Sequence, residues 1–485
     1  MAKFRDIAAQ LRQQLRTGQL RRGDPLPSTR ALAQQLGIHR HTVMAAYEEL
    51  VAEGWVDSLP GWGYRVSQDG LCPTQVAEPR PQEFQWPFHE PLAATEDPPR
   101  PKLRYSFPSG QPDLRIFPHE EYAVFVRQAL RKFSPEELLG YSEPGGRPRF
   151  REQLGHYLRR ARGLQFGSQE LVVTHGSQEA SYLAARCWLA AGDGVAVEEQ
   201  GFSKVWEAFL CCGAELCPVR IDEEGMVPEA LEQQMQQRPV RLIYLTPLHQ
   251  YPTTVTLSPR RRREIYELAR RYDVPLMEDD YDFEFHYRGT SQPPLKTQDP
   301  DGRILYCSTF SKVLHPSARL GFLIAPARLA ERVNRLKTVV SRQNDNLTQE
   351  AVAGWMEEGG FERHLRRMRR HYERRRQCMH EALQRWQPAA SWRLPDGGMG
   401  FWVDTGVDTD ELTRRAITRG VGIRPGSSYR LDGQTSSCLR LGFAHPNPEE
   451  IEQGLAILGE LRGELLVSNR SETTEKNRRK DVAAR

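Results

Sequence analysis

Apolar positions in the first 66 residues recur at helical spacing, with Phe4, Ile7, Ala8, Leu11 and Leu15 on one face of a first helix. Asp24-Pro25-Leu26-Pro27-Ser28 breaks that period, Ser28 or Thr29 caps a second helix running to Leu36, and Gly37 ends it. A third helix opens at His39-Arg40-His41-Thr42-Val43 and turns Val43, Tyr47, Leu50 and Val51 inward. Arg40, His41, Thr42 and Ala45 are left outward, and Gly54 stops the helix. From Trp55 to Val66 the period drops to two around Pro60-Gly61, as in a two-stranded wing. The pattern predicts a winged helix-turn-helix over residues 1–67.

Between residues 68 and 104 the composition turns to Pro, Glu and Gln, with Pro79, Pro81, Pro87, Pro91, Pro98, Pro99 and Pro101 in succession. Such a stretch reads as an extended, semi-rigid linker, in which Phe84, Trp86 and Phe88 could dock on a neighbour. After Tyr105 short apolar runs alternate with helical patterns: 171–174, 195–197, 242–245, 275–277, 304–308 and 320–324. That alternation predicts a largely parallel α/β sheet covered on both faces, with ligands at the carboxyl ends of its strands. Helices dominate from about 325 to 462, and mixed segments at 392–404 and 437–443 predict a smaller α+β subdomain over roughly 325–467. The charged tail 468–485 is expected to be disordered.

A chain of 485 residues needs two or three folded units, and 39% hydrophobic with 27% charged residues suits a globular protein. No apolar run is long enough to span a bilayer, and the polar start Met1-Ala2-Lys3-Phe4-Arg5-Asp6 lacks a signal-peptide core. The expectation is a cytoplasmic protein without membrane contact. Eight cysteines show no Cys-x-x-Cys spacing, which fits a reducing compartment and gives no metal signal. The net charge of +4 is modest, but through Val66 nine Lys/Arg stand against six Asp/Glu, consistent with attraction to phosphate.

The chemistry-bearing residues gather near the predicted strand ends. Tyr306-Cys307-Ser308-Thr309-Phe310-Ser311-Lys312 ends in a lysine whose amine could form a Schiff base with pyridoxal phosphate. Upstream, Glu278-Asp279-Asp280-Tyr281 supplies a carboxylate for a ring nitrogen and a phenol for a ring oxygen, with Asp279 favoured over Asp280. Thr174-His175-Gly176-Ser177-Gln178 follows a strand and opens a helix, so its N–H groups and the Ser177 hydroxyl can face a phosphate. Arg319 suits a phosphate dianion, Phe202 could stack on the ring or serve as core, and Arg440 sits between apolar neighbours where a ligand carboxylate would pair it.

Four stretches taken together carry a resemblance: 26–30 (Leu-Pro-Ser-Thr-Arg), 244–252 (Tyr-Leu-Thr-Pro-Leu-His-Gln-Tyr-Pro), 278–285 (Glu-Asp-Asp-Tyr-Asp-Phe-Glu-Phe) and 309–312 (Thr-Phe-Ser-Lys). Nearly the whole chain resembles the MocR/GabR branch of GntR-type transcriptional regulators. These join a winged helix-turn-helix to a fold-type I aminotransferase-like domain. The resemblance implies Lys312 as the Schiff-base lysine, Asp279 on the ring nitrogen and Tyr281 on the ring oxygen. It implies Ser177, Thr309 and Arg319 among the phosphate ligands and Arg440 as carboxylate receptor, while Gly176, Gln178 and Phe202 are cofactor-binding candidates from their positions alone. Tyr141, in Tyr141-Ser142-Glu143-Pro144-Gly145-Gly146, resembles a tyrosine lent to the partner subunit's phosphate, which implies a homodimer. Two positions depart from the family pattern: Thr254 stands where a glycine is usual, and Gln200 where a proline is.

At the DNA end, Ser28, Arg30, Arg40, His41 and Thr42 would grip backbone and base edges of double-stranded DNA, while Trp62 and Arg65 of the wing reach an adjacent groove. The basic run 363–376 reads as an exposed helix face. The function implied is that of a DNA-binding transcriptional regulator sensing pyridoxal phosphate or an amino compound. The alternative is a working aminotransferase with a DNA-binding extension.

Overall fold

The computed structural model describes residues 3–68, 103–387 and 389–483. The linker 68–104, with its three aromatic residues, falls almost entirely outside them. Contacts divide the chain into two compact units, Met1–His89 and Glu90–Arg485. Among the described residues no helix is long and apolar enough to cross a membrane.

In the first unit the predicted elements form helices Lys3–Arg16, Thr29–Leu36 and Arg40–Ala52 and the antiparallel pair Val56–Leu59 and Gly63–Val66. Ile7, Ala8, Leu11 and Leu15 pack with Leu32, Val43, Ala46, Tyr47 and Leu50 in one core. Ser28 caps the second helix by accepting from the Ala31 N–H at 3.1 Å, and Gly37 ends it in the left-handed conformation at φ 63°.

The second unit is built on a seven-stranded sheet. In spatial order its strands are Leu171–Thr174, Gly321–Ile324, Ile304–Thr309, Leu276–Asp280, Val240–Leu245, Gly194–Glu198 and Glu215–Val219. Only Gly321–Ile324 runs against the others. Alternate residues feed different cores: Leu305 and Cys307 join helices Ser177–Trp188 and Ala327–Val340 on one face, whereas Ile304 and Tyr306 face the opposite cores. Strands buried on both faces must be apolar throughout, which is why they read as continuous runs.

A second, antiparallel sheet contains Ser391–Trp392, Gly400–Asp404, Cys438–Gly442 and Arg424–Pro425. Tyr105–Ser106 pairs with Val421–Gly422, so the first described segment of this unit is built into the late-sequence half. The expected subdomain boundary near 325 shifts accordingly: Ala330 and Val333 of helix Ala327–Val340 belong to the core of the large sheet. The last helix runs Pro448–Ala483 and carries through the tail expected to be disordered. Glu472 and Glu475 each precede a Lys or Arg by four residues, and the tail lacks Gly and Pro, so it favours a helix. The basic run 363–376 is not wholly exposed either. Arg375 is buried against Asp113 at 2.7 Å, and the Arg376 Nε donates to the Pro395 carbonyl at 2.6 Å.

Gly321 crosses the Gly176 turn so closely that a Cβ would lie 2.5 Å from the Gly176 Cα and 2.8 Å from the Ser308 carbonyl oxygen. Backbone cannot rotate away as a side chain can. Gly321→Ala should therefore cost about 1–3 kcal/mol, measured from the denaturant midpoint. An unchanged midpoint would show that these two turns are not in tight register.

Candidate functional site

Strand Leu276–Asp280 sets the site by its period of two. Glu278 and Asp280 project to one face, and Asp279 projects to the other, toward helix Ser177–Trp188. Glu278 accepts the N–H groups of Leu295 at 2.8 Å and Lys296 at 2.9 Å. Asp280 accepts the Tyr306 phenol at 2.5 Å and lies 3.7 Å from Arg162. Asp279 is also buried, yet only its Oδ2 has a partner, the Tyr244 hydroxyl at 3.0 Å, and its Oδ1 has none. Burial pushes the Asp279 carboxyl up to about 7, against the hydrogen bond from Tyr244. A buried carboxylate oxygen left open fits a cationic N–H partner such as a pyridinium; Asp280 keeps an open oxygen too, but on the opposite face of the strand and with Arg162 3.7 Å away.

Lys312 lies just beyond strand Ile304–Thr309, its Nζ 3.3 Å from where a Cβ on Gly110 would sit. Burial lowers its pKa; Asp282 and Asp279 act in the opposite direction and Arg440 reinforces the lowering. A depressed amine pKa favours the neutral, nucleophilic form that attacks an aldehyde.

The phosphate end is a cradle of backbone and hydroxyls. Gly176 has φ 100°, and a Cβ there would lie 3.6 Å from the Thr309 Oγ1 and 3.8 and 3.9 Å from the two terminal nitrogens of Arg319. Ser177 opens the helix and is buried, Gln178 beside it is exposed, and the backbone N–H groups of this first turn have no partner within the helix. Thr309 donates to the Ser311 hydroxyl at 2.9 Å, and Arg319 donates to the His175 carbonyl.

Arg440 is wholly buried on strand Cys438–Gly442. One terminal nitrogen donates to the Pro252 carbonyl, the guanidinium lies 4.9 Å over the Tyr251 ring, and its Nε and other terminal nitrogen have no partner. Burial works against its charge, but the Tyr281, Tyr251 and Tyr429 phenols and Asp282 raise its pKa above the ordinary value. Two open donors on a buried cation suit a bidentate carboxylate. Tyr281 donates to the His249 carbonyl at 2.9 Å and packs with Tyr251 and Tyr429. Phe202 meets Tyr251 edge to face at 5.7 Å.

Tyr141 stands apart: it is 83% exposed, with the Arg342 guanidinium 4.9 Å over its ring. In the first unit, Ser28, Arg30, Arg40 and His41 are exposed, Thr42 is half-buried, and Trp62 is 91% exposed at the wing tip. Arg40 also donates from Nε to the Thr29 hydroxyl at 3.0 Å, tying the third helix to the second. Arg65 is 3.8 Å from Asp57 on the paired strand, so part of its charge is spent within the hairpin.

Residue-by-residue reading of the sequence did not single out Asp282, His249, Gly110 or Ser311. Asp282 and His249 do occur within two of the stretches that carry the resemblance, and Ser311 directly precedes Lys312.

Residues 117–458 match the family described as aminotransferase class I and II, and residues 3–66 match the bacterial regulatory proteins of the gntR family. The probable rhizopine catabolism regulatory protein MocR of Rhizobium meliloti is 30% identical over 93% of this chain and 92% of its own length. The HTH-type transcriptional regulator TauR of Rhodobacter capsulatus is 31% identical over 91% of this chain and 92% of its own. Among solved structures, the multiple substrate aminotransferase of Thermococcus profundus superposes with a TM-score of 0.73 at 27% identity. It covers 79% of this chain and 98% of its own.

Asp279 offers a test without any ligand. A solvated Asp releases its proton near 3.9, whereas the folded Asp279 holds it to about 7. The folded state thus binds more protons between those values, and stability falls as pH rises through the interval, with the full penalty above it. The cofactor-free Asp279→Asn protein should be more stable than the cofactor-free parent at pH 8, by up to roughly 4 kcal/mol, with the gain shrinking toward pH 5. Thermal unfolding at the two pH values measures this.

Proposed function

We propose, from the premise that this chain belongs to the gntR-family regulators that carry an aminotransferase class I and II unit, that Lys312 is the covalent anchor of a pyridoxal phosphate-dependent sensor. The chain is a DNA-binding transcriptional regulator, and pyridoxal phosphate is its cofactor. The observation that carries the reading is the set of unmet valences around Lys312: an open oxygen on buried Asp279 and two open nitrogens on buried Arg440.

When bound, the cofactor supplies an electrophilic carbon for amines and a cationic ring. The chain's residues divide the remaining work. Asp279 would hold a proton at the ring nitrogen, and the Tyr281 phenol would partner the ring oxygen. Ser177, Thr309, Arg319 and the N–H groups at Gly176 to Gln178 hold the phosphate, and Phe202 with Tyr251 closes the apolar side. Arg440 takes the carboxylate of an amino compound whose amine competes with Lys312.

Regulation then requires that the amino compound, or the cofactor itself, bind one arrangement of the protein more tightly than another. Arg440 is placed for that role because its bond to the Pro252 carbonyl joins the small sheet to the loop after strand Val240–Leu245. A ligand carboxylate at Arg440 competes for donors at this junction.

The active assembly in this reading is a cytoplasmic homodimer. Tyr141 is exposed beside Leu139, and Val339 and Val340 precede Arg342, which stacks on Tyr141; all five side chains are exposed. Such a patch is costly to leave in water and suits a second copy. Arg40, His41 and Thr42 at the start of the third helix, with Ser28, Arg30, Trp62 and Arg65, form the DNA surface.

Two measurements test the reading. Purified protein should show visible absorption from bound pyridoxal phosphate, and Lys312→Ala should lose it. In a promoter-shift assay on the adjoining intergenic region, a panel of amino compounds should alter binding by the parent. Arg440→Gln should keep the visible band and lose the response to those bearing a carboxylate. A response unchanged in both variants would remove the site from sensing. Separately, Arg40→Ala should weaken promoter binding by about tenfold or more, and binding by the parent should fall steeply between 50 and 200 mM salt. Retention that is independent of salt would exclude a phosphate-gripping surface.

A further inference from the structure

A cavity of about 450 Å³ beside the small sheet has no part in the account so far. Its walls come from both halves of the unit. Gln200 follows strand Gly194–Glu198 and the loop 253–256 follows Val240–Leu245, whereas Trp392, Trp402 and Asp404 belong to the small sheet. These side chains are half-buried, and Glu223, Arg393 and Asp396 are exposed at the rim. Such a volume is that of a small-molecule site. The cavity also adjoins the surroundings of Arg440. Trp402 is the direct partner of Arg440 across strands Gly400–Asp404 and Cys438–Gly442, and its ring meets Tyr429 edge to face at 5.8 Å. Thr253, another wall residue, follows the Pro252 whose carbonyl receives the Arg440 guanidinium.

The chemistry of these walls is one-sided. The hydroxyls of Thr253, Thr254 and Thr256 each donate within the protein, to the Gln250 Oε1 at 2.6 Å, the Thr253 carbonyl at 2.5 Å and the Leu248 carbonyl at 2.8 Å. The Trp392 Nε1 donates to His380 at 3.2 Å. What these groups still have to offer an occupant is lone pairs and aromatic carbon. The Gln200 Oε1 is buried and has no hydrogen-bond partner among the described residues. Of the carboxylates, Asp222 is held by Arg261 at 2.6 and 2.7 Å, and Asp396 lies 4.0 Å from Arg393. Asp404 accepts the Gly406 N–H on one oxygen at 3.0 Å and, like Glu223, has no ion pair among the described residues. Among those residues no group of three or more His, Cys, Asp or Glu is placed to hold a metal ion. The walls therefore call for an organic cation that brings its own N–H donors.

We propose that this cavity is a second ligand site, separate from that of Lys312, and that it takes the guanidinium or primary ammonium end of a small organic cation. Asp404 supplies the counter-charge and the Gln200 Oε1 an acceptor, and the indoles of Trp392 and Trp402 suit a cation between them. Because its walls come from both halves of the unit, a cation held there favours the arrangement that brings those walls together. Binding at this site does not depend on the reading of Lys312. Only its consequence for Arg440 draws on that reading.

The test is a calorimetric titration of the cofactor-loaded full-length protein with butylguanidine, using butylurea, which has the same shape without the charge, as its control. Butylguanidine should saturate a single site per chain and bind about tenfold or more tighter than butylurea. Asp404→Asn, in which the amide oxygen can still accept the Gly406 N–H, should remove most of that preference. Ser391→Lys changes an exposed side chain directly opposite Asp404 in the antiparallel register and should do the same by placing an ammonium at the carboxylate. No saturable binding, equal binding of the two probes, or a preference unchanged in both variants overturns the proposal. Should one variant not fold, the other decides. Absence of a visible band in the parent would instead overturn the assignment of Lys312 while the titration stands, so the two failures are distinguishable.

Discussion

The site depends on one constraint: a sheet buried on both faces admits ionisable side chains only where its strands end, and each such side chain must find a partner there. A carboxylate taken out of water costs several kcal/mol unless it is paired. Along Leu276–Asp280 the three acids meet this demand differently. Glu278 is satisfied by two backbone N–H groups, whereas Asp280 takes a phenol on one oxygen with Arg162 nearby and keeps its other oxygen open. Asp279, on the opposite face of the strand, takes a phenol on one oxygen and keeps the other open. In the proposed reading that open oxygen is where a cation would pair.

Arg440 is the same situation with the sign reversed. It is fully buried and is held by one carbonyl and an aromatic face, with two nitrogens open. Between them the two residues define a site that is electrostatically incomplete in opposite senses at its two ends. In the proposed reading the cofactor's ring nitrogen completes the first end and the carboxylate of an amino compound the second. Because Arg440 belongs to the small sheet and Pro252 to a loop of the large one, satisfying Arg440 differently alters a bond between the two halves of the unit. Coupling to DNA binding requires a contact of this kind, one whose partner changes with occupancy.

What the sequence disclosed and what it withheld follow from the range of the interactions. The strands were legible because burial on both faces forces continuous apolar runs. The recognition-helix start and the wing were legible because Ser28, Gly37, Gly54 and Pro60-Gly61 punctuate them locally. The Asp282–His249 pair was not, since its members lie 33 residues apart and meet only through the fold. Burial of Arg375 and Arg376 was hidden for the same reason, as Asp113 and the Pro395 carbonyl that receive them are distant in sequence. The pairing of Tyr105–Ser106 with Val421–Gly422 spans most of the unit, and no local pattern announces it. The tail pulls both ways: its charge favours disorder, and the four-residue spacing of those charges favours the helix that runs to Ala483.

The two departures from the family pattern acquire a location. Thr254 keeps a left-handed backbone at φ 64°, a conformation that strains a β-branched residue and that the usual glycine would adopt freely. Its N–H still bonds to the Gln250 carbonyl at 2.6 Å, so the turn is retained and only a side chain has been added. Thr254 and Gln200 both line a cavity of about 450 Å³ together with Thr253, Trp402 and Asp404. Lys312, Asp279, Arg319 and Arg440 are not among its walls. The residues proposed to anchor cofactor and carboxylate thus lie apart from the cavity that the two departures line. The Thr254 hydroxyl donates to the Thr253 carbonyl at 2.5 Å, on the same loop that presents the Pro252 carbonyl to Arg440.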